Sequence, residues 1–244
     1  MDSSNTASRE EIVRFNALAD TWWDPTGPMW PLHRLNAVRL PFILEILEQQ
    51  SLATGTAQRP IDGLHVLDIG CGAGLLAESM AALGAVVTGV DPAERNIAVA
   101  RDHARSSGLP ITYLHGSVDT LQLDKFDVVL NMEVVEHVEN IEGFMARCCE
   151  LTHDGGLQFL ATINRNLLSW LVAIVGAEYI LRWLPRGTHQ WRKFVKPGEA
   201  TSLLSAGNMD VIADRGVAVN PLTRAYSVTD FLGVNYMMAA RKHL

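Results

Sequence analysis

The sequence predicts an α/β fold: one doubly wound, mostly parallel and twisted sheet with helices on both faces, preceded by a helical N-terminal extension. Three observations carry this. From Leu64 onward, short continuous apolar runs alternate with segments of helical periodicity, as strands covered on both faces require. A glycine-rich turn, Gly70-x-Gly72-x-Gly74, follows the first of these runs. An acid, Asp91, closes the second run 21 residues after Gly70. The 244 residues suffice for one domain of ordinary size, and 48% hydrophobic with 19% charged residues is a globular composition.

Taken in order, residues 10–19 (EEIVRFNALA) place Ile12, Phe15 and Leu18 at helical spacing. The next stretch, WWDPTGPMWPLHR, holds three prolines and a glycine and forbids one continuous helix. LNAVRLPFILEILEQQ resumes the helical period, and the polar SLATGTAQRPIDG reads as a linker. Residues 1–50 are therefore expected to be a helical extension of the same domain, and 51–244 its main body. LHVLDIG is a buried-strand run, LLAESMAAL a helix, VVTGV a second strand and AERNIAVARDHARSS a second helix. ITYLH, FDVVLNM and LQFLATI are further strands, with IEGFMARCCELT helical between the last two. DVIADRGVAV and VNYMMAARKH end the chain as strands.

The formal net charge of −7 argues against nucleic acid as a partner and against whole-molecule attraction to an anionic surface, so an anionic partner needs a local basic patch. Cys71, Cys148 and Cys149 contain no CxxC pair, and neither a disulfide framework nor a zinc ribbon is expected. The first residues, MDSSNTASREE, lack an apolar signal region and arginine bias, so the expected location is cytoplasmic.

VLDIGCGAGLL places its glycines between the first strand and its helix, where the backbone turns sharply and a ligand can approach the peptide plane. A dinucleotide fingerprint has GxGxxG, but the position after Ala73 and Gly74 is Leu75. Asp68 just upstream would repel a pyrophosphate. Asp91, at the end of the second strand, can accept hydrogen bonds from the ribose hydroxyls of an adenosine ligand. A loop with no phosphate-neutralising residue, flanked by two acids, fits S-adenosylmethionine, whose sulfonium and ammonium are cationic.

The chain thus resembles the Rossmann-like class I methyltransferases. RFNALADTWWDPTGPMWPLHRLNAVRL, NMEVVEHV and TINRNLLSWLVAIVGAEYILRWLPRGTHQWRKFVKP resemble, more closely, the ubiquinone-biosynthesis O-methyltransferase family. The resemblance covers nearly the whole chain from residue 10. It implies that Arg39 salt-bridges the cofactor's carboxylate, Gly70 lies against its methionine moiety, Asp91 holds its ribose and Met132 offers backbone near its methionyl end. On the residues alone, Arg39 is otherwise a solvated helix charge and Met132 core.

NMEVVEHV follows FDVVLNM, which delivers the chain to the sheet edge where open α/β folds bind ligands. Offsets of i, i+3 and i+4 put Glu133, Glu136 and His137 on one face of a helix. Methyl transfer to a phenol oxygen needs the phenolate, and a phenol loses its proton only near a pKa of about 10. A divalent cation such as Mg²⁺ held by Glu133, Glu136 and His137 would stabilise that anion. Alternatively His137 or a neighbouring glutamate acts as general base without metal, or the three merely start a helix.

LLSWLVAIVGAEYILRWL (167–184) is apolar but marginal in length for a membrane span, which needs ~20 residues, and Gly176, Glu178 and Arg182 interrupt it. Arg182, Arg186, Arg192, Lys193 and Lys196 follow with interfacial aromatics, so 167–197 is expected to form an apolar helical insertion lying on a membrane surface. Its other reading is an internal helix or a lid over the substrate.

The function expected is transfer of a methyl group from S-adenosylmethionine to ring hydroxyls of polyprenylated catechol or quinol precursors, by a protein peripheral to the cytoplasmic face of the inner membrane. The resemblance implies that 3-demethylubiquinol to ubiquinol is among these steps, with other quinone-biosynthesis proteins as partners. The alternatives are a C-methyltransferase of a related quinone ring and a non-catalytic cofactor-binding subunit of a biosynthetic complex.

Overall fold

The computed structural model describes residues 9–171 and 190–244. The N-terminal part forms α1 (Arg9–Leu18) and α2 (Trp30–Gln49). The parallel half then runs β1 (His65–Ile69), α3 (Leu75–Ala82), β2 (Val86–Asp91), α4 (Glu94–Ser106), β3 (Thr112–His115), β4 (Phe126–Met132), α5 (Ile141–Glu150) and β5 (Thr152–Ile163). After α6 (Leu167–Ser169) and α7 (Pro197–Ala206), the chain ends in β6 (Met209–Val219), β7 (Tyr226–Thr229) and β8 (Asn235–Lys242).

The strands form one eight-stranded sheet in the order β3-β2-β1-β4-β5-β8-β6-β7. β1 to β5 pair in parallel, while β8 joins β5 antiparallel and β6 and β7 extend the antiparallel side. The order reverses beside β1, so the ends of β1, β2 and β4 open onto one crevice, the switch point where such sheets bind ligands.

Strand alternation divides the core between the two faces. Val128, Leu130 and Met132 of β4, with Leu157, Phe159 and Ala161 of β5, pack with Leu35, Ile43 and Leu47 of α2 and Met80 of α3. Val129, Leu160, Tyr236 and Met238 point the other way, against Phe144, Met145 and Cys148 of α5 and Leu204 of α7. Because α2 shares the first cluster, the N-terminal region belongs to the same hydrophobic core as the sheet.

The predicted strands and helices of the parallel half all form. α2 begins at Trp30, ahead of the expected Leu35, because Pro31 falls in its first turn, where a missing N–H leaves nothing unpaired. It runs through Pro41, held by the buried Phe42, Ile43, Ile46 and Leu47 just after it. α7 and β7 were not anticipated. β7 is a four-residue edge strand with neither face fully buried, and α7 buries only Ala200 and Leu204, so neither writes a strong period into the sequence. Most of the apolar insertion expected over 167–197 lies outside the described residues. Its described ends are α6 and a 3₁₀ turn at Trp191–Lys193.

Candidate functional site

A cavity of about 250 Å³ lies at the crevice, walled by α1, the segment leading into α2, the glycine turn and the loop after β4. Asp68, Gly70, Asp91, Met132, Glu133, Glu136, His137 and Arg39 all line it. The structure therefore gathers every expected site residue around one space.

Gly70, Gly72 and Gly74 all have positive φ, at 66°, 54° and 91°. At all three the space a Cβ would fill belongs to a protein side chain, at Gly74 the Tyr113 hydroxyl, 2.2 Å away. A Cβ on Gly70 would stand 2.6 Å from Val134 Cγ2, and one on Gly72 would stand 2.1 Å from the Trp22 ring. Trp22 thus lies directly on the turn, and Trp23 donates its indole N–H to the Ala73 carbonyl at 3.0 Å. The glycines admit the N-terminal segment as well as any ligand.

Asp91 is buried, and its carboxylate orders the turn. Oδ2 accepts from the Gly72 N–H at 2.9 Å, and Oδ1 accepts from the Ala93 N–H at 2.8 Å and from Asn96 Nδ2 at 3.3 Å. A carboxylate offers about four acceptor positions, so one on Oδ2 remains for a ribose hydroxyl. Burial raises its pKa, and these same hydrogen bonds work against the rise. Asp68 is also buried, and its Oδ2 has no hydrogen-bond partner. Burial, then the nearby Asp91, pushes its carboxyl up to about 7 against a backbone hydrogen bond from Ala77 and the charge of Arg39. An orphaned buried carboxyl facing a cavity is what an incoming ammonium needs, so these residues fit the expected S-adenosylmethionine.

Arg39 is not a solvated helix charge: it is 2% exposed, its guanidinium pairs with Glu133, and its Nε has no partner. Met132 ends β4 opposite Ala161 and turns its side chain into the first core cluster.

NMEVVEHV does not form the expected helix. Glu133 has φ 60°, a left-handed conformation unusual for a residue with a Cβ, pinned by its own N–H to the Ala161 carbonyl at 2.8 Å. Only Val135–His137 form a 3₁₀ turn, so the i, i+3, i+4 face does not exist. Glu133 Oε1 accepts from Arg39 and, at 2.9 Å, from Asn235 Nδ2. Glu136 is buried, and its Oε2 accepts from Thr162 Oγ1 at 2.8 Å. Burial, with the Glu133 charge, lifts its carboxyl to about 8, so it holds a proton at neutral pH. His137 Nδ1 instead faces Glu11 Oε2 of α1 at 3.4 Å.

A cation between the three would displace Arg39 from Glu133, ionise Glu136 and turn His137 from Glu11. The side chains in place do not fit that ion, and among the described residues no group of three His, Cys, Asp or Glu is arranged to hold one. Asn235, Thr162 and Glu11 were not foreseen. Asn235 stands 102 residues from Glu133, and only the antiparallel pairing of β8 with β5 brings it there.

A methyltransferase-domain family model matches residues 67–160, the span from β1 into β5. The chain is 46% identical over 242 residues to a ubiquinone biosynthesis O-methyltransferase of Agrobacterium fabrum, covering 98% of this chain and 97% of that one. It is 47% identical over 239 residues to the protein of the same name from Rhodopseudomonas palustris, covering 98% and 94%. Among solved structures, a magnesium protoporphyrin IX methyltransferase from Synechocystis with bound SAH shares the fold at a TM-score of 0.65, with 16% identity over 94% of each chain. The chain belongs to the ubiquinone biosynthesis O-methyltransferase family.

Proposed function

We propose that this enzyme transfers a methyl group from S-adenosylmethionine to a ring hydroxyl of polyprenylated catechol and quinol precursors of ubiquinone, 3-demethylubiquinol among them. One observation carries the reading: a single cavity is lined by orphaned Asp68 and ordered Asp91 together with Glu133, Glu136 and His137. When bound, the cofactor supplies an electrophilic methyl carbon on a cationic sulfur. Asp68 takes the ammonium, Asp91 a ribose hydroxyl, Gly70 the methionine moiety, and the backbone at Met132 its methionyl end. Arg39 answers the cofactor's carboxylate, which then competes with Glu133 for the guanidinium.

The acceptor's hydroxyl proton goes to His137, the cavity-lining group of the triplet whose side chain is engaged by neither Arg39 nor Thr162. Much of the acceleration then comes from alignment of oxygen, methyl carbon and sulfur. Residues 167–197 hold the enzyme at the membrane where the prenyl tail resides. Leu167, Leu168, Trp170, Leu171 and Trp191, at the described ends of that stretch, are exposed large apolar side chains.

The test is turnover of a short-tail demethylated ubiquinol, with product mass and NMR. The expected product carries the new methyl on oxygen. A methyl on carbon, or bound cofactor with no turnover, overturns the reading. Turnover that persists in EDTA leaves proton removal with His137, whereas loss restored by Mg²⁺ returns the triplet to holding metal.

A further inference from the structure

Four side chains lining the cavity carry buried polar atoms with no hydrogen-bond partner among the described residues: Glu11 Oε2, Trp22 Nε1, Arg39 Nε and Asp68 Oδ2. A buried donor or acceptor left unpaired costs the desolvation of that group in full. Two of the four are donors. Arg39 has the cofactor's carboxylate to answer, and nothing yet described answers the Trp22 indole N–H. An indole nitrogen donates and does not accept, so only an acceptor atom satisfies it. Trp22 is 7% exposed, which leaves bulk water little access to it.

The fold holds this indole in place from several sides. The Trp22 carbonyl accepts from His33 Nε2 at 2.8 Å, and its backbone N–H reaches the Ala19 carbonyl at 3.4 Å. Its ring packs with Met29, Ala73 and Leu75 and fills the space beside Gly72, where a Cβ would meet it at 2.1 Å. Turning the ring away to find a partner would open a void in that cluster. The neighbouring Trp23 gives the contrast. Its indole N–H donates to the Ala73 carbonyl at 3.0 Å, and its ring stacks on His103 of α4 at 3.4 Å. Of two adjacent indoles on one glycine turn, one N–H is bonded to the protein and the other is not. The segment bearing both is fastened to α4. Asn16 Oδ1 accepts from the Arg95 N–H at 2.9 Å, and Asp20 pairs with the Arg95 guanidinium at 2.5 Å.

We propose that Trp22 is a cofactor-binding residue whose indole N–H donates to an oxygen of bound S-adenosylmethionine, a ribose hydroxyl or the methionyl carboxylate. This rests on the reading of the cavity as the S-adenosylmethionine site. Gly72, under the ring, gives its N–H to Asp91 Oδ2, the carboxylate that takes the ribose. A hydroxyl that donates to Asp91 keeps its lone pairs for a donor such as Trp22. A carboxylate facing Arg39 likewise has acceptor positions left for a second donor. In both cases the N-terminal segment grips the cofactor together with the sheet. The donor that the fold leaves unpaired then becomes paired when the site is filled. Neither oxygen is part of the sulfonium, so S-adenosylhomocysteine offers the same acceptors.

The experiment uses the full chain labelled with nitrogen-15 in its indoles, S-adenosylhomocysteine as the unreactive probe, and W22F and W23F to assign the signals. On saturation the Trp22 indole proton and nitrogen are expected to move downfield, while those of Trp23, already bonded to Ala73, move little. 5′-Methylthioadenosine keeps the ribose and lacks the amino-acid end, so it separates the two oxygens. A shift with both ligands assigns the ribose hydroxyl, and a shift with S-adenosylhomocysteine alone assigns the carboxylate. By calorimetry, W22F, which keeps an aromatic ring and loses the donor, binds S-adenosylhomocysteine on the order of tenfold more weakly. Wild-type protein that binds this ligand with the Trp22 signal unmoved overturns the proposal and leaves any loss in W22F to packing. A Kd of W22F within about twofold of wild type overturns it as well. Should W22F fail to fold, nuclear Overhauser contacts with Met29 and Leu75 assign the wild-type signal, and its shift decides. Failure of the wild type to bind S-adenosylhomocysteine would instead sink the cofactor reading of the cavity.

Discussion

Asp68 holds its proton to about pH 7 because burial and the neighbouring Asp91 disfavour its charge. A cationic ligand favours the ionised form, so S-adenosylmethionine should bind more tightly as pH climbs through about 7. Below that pH, binding should expel a proton. Calorimetry at about pH 6 in two buffers of different ionisation enthalpy should report close to one proton released, declining toward none by about pH 8. Asp68→Asn should abolish the release, and a release unchanged in that variant would assign the proton elsewhere, Asp91 and Glu136 being the other raised carboxyls. For folding without ligand the sign is opposite. Folded-state pKa values above the ordinary carboxylate range give stability present at low pH and lost as pH rises through about 7 for Asp68 and about 8 for Glu136.

The glycine turn is a meeting of two elements. Gly72→Ala puts a methyl into the Trp22 ring at a φ of 54°, adding overlap to backbone strain. A cost of about 1–3 kcal/mol is expected, and at roughly 2–4 °C per kcal/mol for a chain of this size the melting temperature should drop by roughly 2–12 °C. Trimming Trp22 to leucine in the Gly72→Ala background should recover the steric part and leave the backbone part. Full additivity of the two losses by calorimetry would show that the ring and the turn do not press on each other. The turn itself was legible, since glycines between a strand and a helix after an apolar run have a strong local signature. What fills the space beside it was not, because Trp22 and Gly72 are far apart in the chain, on either side of α2 and β1. The same holds for NMEVVEHV. Its composition read as a helix start, and the hydrogen bond of Glu133 to Ala161 in the neighbouring strand overrode that local preference. Sequence period reports burial of a face, which is why β1 to β5 were readable and the sparsely buried β7 was not.

At the scale of the molecule, a chain of net charge −7 carries a basic, aromatic stretch between Tyr179 and Pro197. Among the described residues no helix is long and apolar enough to cross a membrane, and contact of the basic stretch with a membrane surface is a proposal to be tested directly. Vesicles containing anionic lipid should sediment the protein, with glutamates at Arg186, Arg192 and Lys193 weakening that in a salt-dependent way. Sedimentation equal to that on neutral vesicles, and unmoved by the charge reversal, would remove the membrane reading. Glu133 adds a consequence of another kind. Its carboxylate is gripped by Arg39, 94 residues earlier, and by Asn235, 102 residues later, on a strand that must enter the sheet between β5 and β6. β8 follows every other strand in the chain, so until it pairs with β5 one of the two clamps on Glu133 is missing. The grip on Glu133 is therefore complete only once β8, whose Tyr236 and Met238 also close the core, has entered the sheet.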